Sequence, residues 1–226
     1  MSARRETQNR HNHGHHRTRI SRALSFVLRH GARSQGVRLD EEGFGHVRDV
    51  LDSLAMRMLH VSRKELDYVV DNDIKSRFAR EVILDQHYLK AVQGHSIPGL
   101  NDGAMHTPVT LDAGNLPGVS VHGTFWKHLS SIREHGLLAG GLKGTRGHIH
   151  FQTRDIGDDR VVSGMRGNCE VAVYIDLEAA LRAGVKFFLS DNGVLLTPGV
   201  RGVLDARFIS RIMDLGNRQS LYPNQS

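Results

Sequence analysis

The hydrophobic pattern of this 226-residue chain changes at about residue 98. This change indicates two halves with different secondary structure. Before residue 98, apolar side chains recur every three to four residues, as in amphipathic helices. After residue 118 they occur in short runs typical of buried strands. The segment 98–118 is rich in Gly, Pro, Asn and Asp and has neither period, so it is predicted to be a linker. We therefore expect an α+β protein with two lobes.

The N-terminal half, residues 20–97, predicts three helices and a hairpin. The first helix should end at Gly31, the second should cover 47–54, and a capping box formed by Ser62 and Glu65 should open the third. Two strands that flank Asp85-Gln86 should form the hairpin. Three helices and a terminal hairpin are typical of a winged-helix lobe, a module that often binds nucleic acid.

The C-terminal half, residues 119–214, predicts a mixed, mostly β lobe. The tripeptide Asp191-Asn192-Gly193 is a strong tight-turn signal between two of its strands. The expected strands are 119–123, 148–151, 171–176, 185–189 and 194–197, with helices ending at His135-Gly136 and covering 177–183. At the chain ends, the Arg- and His-rich segment 1–19 is predicted to be a disordered basic tail, and 215–226 a flexible tail.

Charge and composition narrow the class of partner. Lys plus Arg exceed Asp plus Glu by 30 − 24 = 6, which favours an anionic partner such as nucleic acid or a phosphorylated cofactor. No apolar run approaches the roughly 20 residues of a membrane-spanning helix, so no membrane partner is expected. The single Cys169 excludes an internal disulfide and suits a reducing compartment. We expect an intracellular monomer, in the cytoplasm or the nucleus.

Several familiar sites are absent from the sequence, among them a phosphate loop, a GxGxxG fingerprint, a CxxC pair and an HExxH motif. Cationic side chains beside small residues remain, and these can bind phosphate through Arg forks, His protons and exposed backbone N–H groups. Such clusters stabilise phosphate charge without a metal. They are Arg29-His30-Gly31, Gln93-Gly94-His95-Ser96, His122-Gly123-Thr124, Arg146-Gly147-His148-Ile149-His150 and Ser163-Gly164-Met165-Arg166.

Some of these residues, and one aromatic pair, also have a simpler interpretation. Arg29 near a helix end can serve only the last carbonyl groups of that helix. His148 and His150 share one strand face but bring too few donors for a metal site, so no metal is expected. The pair Phe125-Trp126 fits a hydrophobic core better than a base-stacking surface.

The order of the motifs resembles that of the tRNA 2′-phosphotransferase family over residues 21–208. The matching motifs are Leu28-Arg29-His30 after Ser25, Gln93–Ser96, Val121–Thr124, His148–His150, Ser163–Arg166 and Asn192–Val194. The resemblance implies a winged-helix RNA lobe joined to an ADP-ribosyltransferase-like lobe that binds NAD⁺ as co-substrate. It also implies that an RNA 2′-phosphate, expected to be that of a tRNA, attacks the nicotinamide-bearing ribose carbon and releases nicotinamide. The neighbouring 2″-hydroxyl then attacks phosphorus, giving 2′-hydroxyl RNA and ADP-ribose 1″,2″-cyclic phosphate.

The resemblance assigns roles residue by residue. Arg29, His30 and Arg166 match three of four catalytic positions, and Lys90 stands where the family has an Arg. Lys keeps the charge but loses the two-pronged grip on phosphate. Val92 also replaces a family Asn. The NAD-holding positions are His122, Gly123, Thr124, His148, Ser163, Asn192 and Gly193.

Two alternatives stay open at this point. One is an ADP-ribosyltransferase that acts on nucleic-acid phosphates and does not complete the second step. The other is a catalytically weak RNA-binding protein, which the replacement at Lys90 and the basic tail would fit.

Overall fold

The structure is a computed structural model that describes residues 2–141, 146–160, 163–165 and 167–222, with side chains from residue 14 onward. The chain divides into two compact units, Met1–Asn101 and Asp102–Ser226. The division falls inside the segment predicted as a linker. Both units combine helices with antiparallel sheets, which confirms the mixed α+β class. None of the described helices has the length and apolar character needed to cross a membrane.

The elements of the first unit pack on one core. It contains Ile20, Leu24, Leu28 and Leu66, all fully buried, so the apolar spacing of the first predicted helix is the spacing of its buried face. The elements are α1 (Ser2–Phe26), β1 (Gly45–His46), α2 (Val47–Asp52), α3 (Leu54–Arg57), α4 (Arg63–Asp71), β2 (Phe78–Ile83) and β3 (Gln86–Ala91), with sheet order β1-β3-β2.

One predicted helix start of this unit is confirmed, and the second helix and the hairpin turn differ from the prediction in detail. The capping box of Ser62 and Glu65 is present at the start of α4. The second predicted helix is two short ones, because Ser53 adopts extended backbone and interrupts it. The hairpin turn consists of Leu84 and Asp85, both at positive φ, one residue earlier than predicted. Positive φ at both central residues is the conformation of a type I′ turn.

Helical backbone begins at Ser2, inside the segment predicted to be a disordered tail. The prediction rested on apolar spacing, which starts only at Ile20. Residues before Ile20 instead make polar and aromatic contacts with α4. The Arg17 guanidinium lies 3.7 Å from the centroid of the Tyr68 ring, and His16 Nε2 lies 3.4 Å from a carboxylate oxygen of Glu65.

The second unit has two four-stranded antiparallel sheets, ordered β4-β9-β10-β7 and β13-β12-β8-β5, and a two-stranded sheet β11-β6. Its helices are α5 (Asp102–Met105), α6 (Trp126–His135) and α7 (Leu177–Arg182). Its strands are β4 (Thr107–Val109), β5 (Val121–Thr124), β6 (Leu137–Leu138), β7 (Ile149–Phe151), β8 (Val171–Ile175), β9 (Phe187–Leu189), β10 (Leu195–Thr197), β11 (Val203–Leu204), β12 (Ile209–Asp214) and β13 (Ser220–Tyr222).

All five predicted strands and both predicted helices of this unit are present, with ends shifted by up to two residues. The predicted turn between β9 and β10 is also present, with Gly193 at φ +74°. The predicted linker contains α5 and β4, and the predicted C-terminal tail contains β13. Strand β4 was not recognisable because it is three residues long and carries Pro108, which is tolerated at its edge position.

Candidate functional site

Arg29 and His30 lie on a π-helical turn, Val27–Gly31, that directly follows α1. Val27 and Leu28 are buried, whereas Arg29 is half-buried and His30 is exposed. Single π-helical turns are rare and occur frequently at functional sites. The sequence predicted the end of a helix at Gly31, but nothing in the apolar spacing indicated this wider turn.

The segment Gln93–Ser96 contacts this turn, so two predicted motifs are adjacent in the structure. The Ser96 backbone N–H donates to the carbonyl oxygen of Arg29 at 2.9 Å, and Ser96 Oγ lies 2.8 Å from His30 Nδ1. Gly94 has φ +83°, and a Cβ built on it would lie 3.6 Å from the guanidinium carbon of Arg29. The Arg29 head group therefore lies against the Gly94 backbone.

Lys90 is a buried cation on β3, with 7% of its surface exposed. Its Nζ lies 4.7 Å from the centroid of the Phe44 ring, a cation–π distance. Gln93 and His95, a few residues further along, are also buried. Lys90 is therefore enclosed by its neighbours rather than exposed to solvent on the strand. Arg166, the remaining predicted catalytic residue, lies outside the described residues.

His122 lies on β5 in the second unit and is held by β7. Its Nδ1 is 3.0 Å from the carbonyl oxygen of His150, and its ring centroid is 5.9 Å from that of Phe151. Burial lowers the pKa of His122 below its ordinary value, and the bond to the His150 carbonyl opposes this shift only in part. The ring is therefore neutral near neutral pH. Since the carbonyl can only accept, Nδ1 carries the proton and Nε2 is the acceptor nitrogen.

Gly123, the next residue of β5, is closely covered by the chain itself. A Cβ built on Gly123 would lie 2.1 Å from Cγ of Met165 and 2.7 Å from Sγ of Cys169. The segment Ser163–Met165 thus packs directly on β5. Thr124 is buried, and its carbonyl oxygen accepts a hydrogen bond from the Glu170 backbone at 2.9 Å.

Gln152 and Thr153 lie where three of the predicted NAD-holding segments meet. The Gln152 backbone exchanges hydrogen bonds of 2.8 and 3.0 Å with Val121, which joins β5 to the end of β7 and so bridges the two four-stranded sheets. A Cβ on Gly164 would lie 2.9 Å from the Gln152 Cα. Thr153 Oγ1 donates to the carbonyl oxygen of Gly193 at 2.9 Å. No sequence pattern signals Gln152 or Thr153, because their contacts join segments that are distant in the chain.

His148 makes a separate set of contacts at the start of β7. It is buried, and its Nε2 lies 3.1 Å from Oδ2 of Asp102. Its ring centroid is 6.0 Å from that of His106 and 6.5 Å from that of Phe188.

In the turn between β9 and β10, Ser190 Oγ donates to Oδ1 of Asn192 at 2.9 Å. Among the described residues, no group of three or more His, Cys, Asp or Glu side chains is arranged to hold a metal ion.

Comparison with known proteins agrees with the motif order. The model of a family described as RNA 2′-phosphotransferase, Tpt1/KptA family, matches residues 15–199. The chain is 38% identical to tRNA 2′-phosphotransferase 1 of Danio rerio over 87% of its own length and 85% of the relative. It is 41% identical to the Homo sapiens protein of the same name, over 80% of this chain and 68% of the relative.

A bacterial protein is similar over a comparable range. The chain is 34% identical to a probable RNA 2′-phosphotransferase of Pseudomonas fluorescens, over 80% of its length and 91% of the relative. The family model covers well over half of the chain, and it includes every predicted site residue. The chain therefore belongs to the RNA 2′-phosphotransferase family.

Proposed function

We propose that this protein is an NAD⁺-dependent RNA 2′-phosphotransferase that acts on a tRNA-like RNA. Family membership and the names of the relatives support transfer of an RNA 2′-phosphate. The products on this proposal are 2′-hydroxyl RNA, nicotinamide and ADP-ribose 1″,2″-cyclic phosphate. NAD⁺ enters as a co-substrate, and the reaction needs no metal.

The observation that carries the proposal is the joining of the Arg29-His30 turn to the segment Gln93–Ser96. It brings together a guanidinium, an imidazole and an exposed hydroxyl, with no carboxylate among these side chains. Buried Lys90 belongs to the strand that leads into the same segment. Such a set favours a dianionic phosphate over a cationic or neutral ligand. A carboxylate-based hydrolase would need acidic groups that these motifs lack.

Distinct roles follow for the cationic side chains. Arg29 and Lys90 offset the charge on the phosphate oxygens, and Arg166 shares this role by its place in the motif. His30 is the proton donor, because an imidazole changes its protonation near neutral pH. Its Nδ1 is engaged with Ser96, so Nε2 is the nitrogen that would donate to the phosphate or to the departing RNA 2′-oxygen.

The second unit fits a ribose-bearing nucleotide. Neutral His122 offers Nε2 as an acceptor for a ribose hydroxyl. Gly193 has open space where a Cβ would stand, so a ligand can approach its backbone. The Val121–Gln152 bridge joins the two four-stranded sheets at β5, and Gly164 and the Gly193 turn contact Gln152 and Thr153 at the same place. We infer an ADP-ribosyltransferase-like lobe from this arrangement together with the family.

The first unit fits an RNA-binding winged helix. Its helices pack against a three-stranded antiparallel sheet, and the β2–β3 hairpin provides the wing. Arg19 and Arg22 are exposed on the described part of α1, and their guanidinium groups suit a phosphate backbone. The overall excess of positive charge acts in the same direction.

The test is incubation of the full chain with 2′-phosphorylated RNA, with and without NAD⁺ and a metal chelator. We expect removal of the 2′-phosphate only with NAD⁺, with nicotinamide released and the chelator without effect. Arg29→Ala should lower turnover by roughly a hundredfold. The exposed neighbour Arg33→Ala should not lower it and serves as the matched control.

Product identification separates the alternatives. Inorganic phosphate released without NAD⁺ would refute the proposal. RNA that keeps ADP-ribose would identify a transferase that stops after the first step. RNA binding with neither product would identify a binding protein.

A further inference from the structure

Trp126 is an exposed aromatic residue at the start of α6, directly after the predicted NAD-holding stretch His122–Thr124. It is the only tryptophan of the chain, and 45% of its surface is exposed. The helix contributes Leu129 and Ile132 to the hydrophobic core instead. The core interpretation of Trp126 suggested by the sequence is therefore wrong. An exposed indole loses the free energy that burial of its large apolar surface would give.

The backbone that carries Trp126 is held firmly. Its N–H donates to a carboxylate oxygen of Glu170 at 3.0 Å. The Glu170 N–H in turn donates to the carbonyl oxygen of Thr124 at 2.9 Å. The end of β5 and the start of α6 are thus tied to the same residue, which presents the indole on a fixed backbone. Because the carboxylate already occupies the helix start, this end of α6 is not an anion site.

Two basic residues contact Phe125, the residue that precedes Trp126. Lys127 Nζ lies 5.9 Å from the centroid of the half-buried Phe125 ring, and the His128 ring meets it edge-on at 6.5 Å. Aromatic surfaces interleaved with basic side chains bind nucleotides by stacking the base and pairing the phosphate. This combination of aromatic and basic residues directly follows the stretch His122–Thr124, which is predicted to hold NAD⁺. Its position therefore favours a nucleotide over a protein partner or a lipid.

We propose that Trp126 is a nucleobase-stacking residue of this protein. The inference rests on the proposed function, because it adds a base subsite to the nucleotide-binding stretch on β5. The stacked base is either the adenine of NAD⁺ or a base of the RNA substrate, and both present the same flat aromatic face. Lys127 and His128, which follow Trp126 in the chain and contact Phe125, supply basic groups for the phosphate of that nucleotide.

Tryptophan fluorescence of the native full chain tests the proposal, since all indole emission comes from Trp126. The probes are AMP, ribose 5-phosphate and a 2′-hydroxyl oligouridylate. We expect saturable quenching by a base-bearing probe and none by ribose 5-phosphate. Quenching by AMP alone assigns the adenine of NAD⁺, and quenching by oligouridylate alone assigns the RNA base. If neither AMP nor the oligouridylate quenches the emission saturably, the proposal is overturned.

Variants separate stacking from quenching at a distance. Trp126→Ala should weaken binding of the quenching probe by about tenfold in equilibrium dialysis, whereas Trp126→Phe keeps a flat ring and should weaken it less. Tyr222→Ala removes an equally exposed aromatic of the same unit and should leave affinity unchanged. Unchanged affinity in Trp126→Ala overturns the proposal. The assay needs no turnover, so loss of the proposed reaction and loss of base stacking are recorded separately.

Discussion

Lys90→Met is the substitution that best separates a catalytic cation from a structural one. Met has nearly the length and volume of Lys but no charge. Lys90 is 7% exposed and its Nζ lies 4.7 Å from the Phe44 ring centroid, so the substitution occurs in an enclosed space. Met fills that space and still contacts the ring, because thioether–aromatic contacts are favourable.

The expected change in stability is small or positive. Loss of the cation–π contact costs about 0.5–2 kcal/mol. Relief of the buried charge acts in the opposite direction, because replacement of buried charged groups by apolar ones of similar volume is often neutral or stabilising by about 1–4 kcal/mol. The free energy of unfolding should therefore stay equal or rise. If Lys90 grips the 2′-phosphate, turnover should nevertheless fall by roughly a hundredfold.

The assay pairs urea unfolding with single-turnover conversion of 2′-phosphorylated RNA. Lys90→Arg restores two parallel donors and should keep or raise turnover, as the family residue at this position implies. Accumulation of ADP-ribosylated RNA in the native chain, relieved by Arg, would place the weakness of Lys90 in the second step. A Met variant that loses about 2 kcal/mol of stability or more but keeps native turnover would show that Lys90 is only a structural cation.

Two further predictions concern the second unit. Because burial lowers the pKa of His122 below 6.5, the unfolded chain binds the proton more readily, and this residue's contribution to stability is complete above pH 6.5 and declines as pH falls below it. Denaturant unfolding at about pH 7.5 and about pH 5.5 should therefore show a smaller loss in His122→Gln than in the native chain, and an equal loss would contradict the shift. Thr153→Val removes the hydroxyl that bonds the Gly193 carbonyl and should raise the KM for NAD⁺ roughly threefold to tenfold with kcat unchanged, whereas Thr153→Ser should behave like the native chain. Equal kinetics in both variants would exclude Thr153 as a positioning residue.

Local physical chemistry made much of the fold predictable. The capping box of Ser62 and Glu65 and the tight turn at Gly193 need only a few neighbouring residues, and both are present as expected. The buried face of the first helix follows from the spacing of Ile20, Leu24 and Leu28. Features made by contacts between distant segments were missed. The helical extension before Ile20 and the strand β13 gain their contacts only in the folded chain.

In the candidate site, too, features set by neighbouring residues were predictable and features made by distant contacts were not. Motif order predicted which residues belong to the site, and the structure shows how the described ones are held. The π-helical turn that carries Arg29 and His30 also places Val27 and Leu28 in the first core, and no short sequence pattern signals such a turn. Thr153 is recognisable only after β7 and the Asn192-Gly193 turn have been placed side by side. Residue types that carry chemistry are thus easier to find from sequence than the residues that position them.

The glycines of the motifs show that the same residue type can be required for different physical reasons. Small residues beside cations suggested close approach of a ligand to the backbone. Gly193 fits this reason, since its surroundings are open and its φ is positive. Gly123 does not, because Met165 and Cys169 occupy the space that a side chain would need. Because Gly123 has no side chain, the Ser163–Met165 segment can lie directly on β5. The glycine of the His122–Thr124 motif therefore serves the packing of another predicted motif.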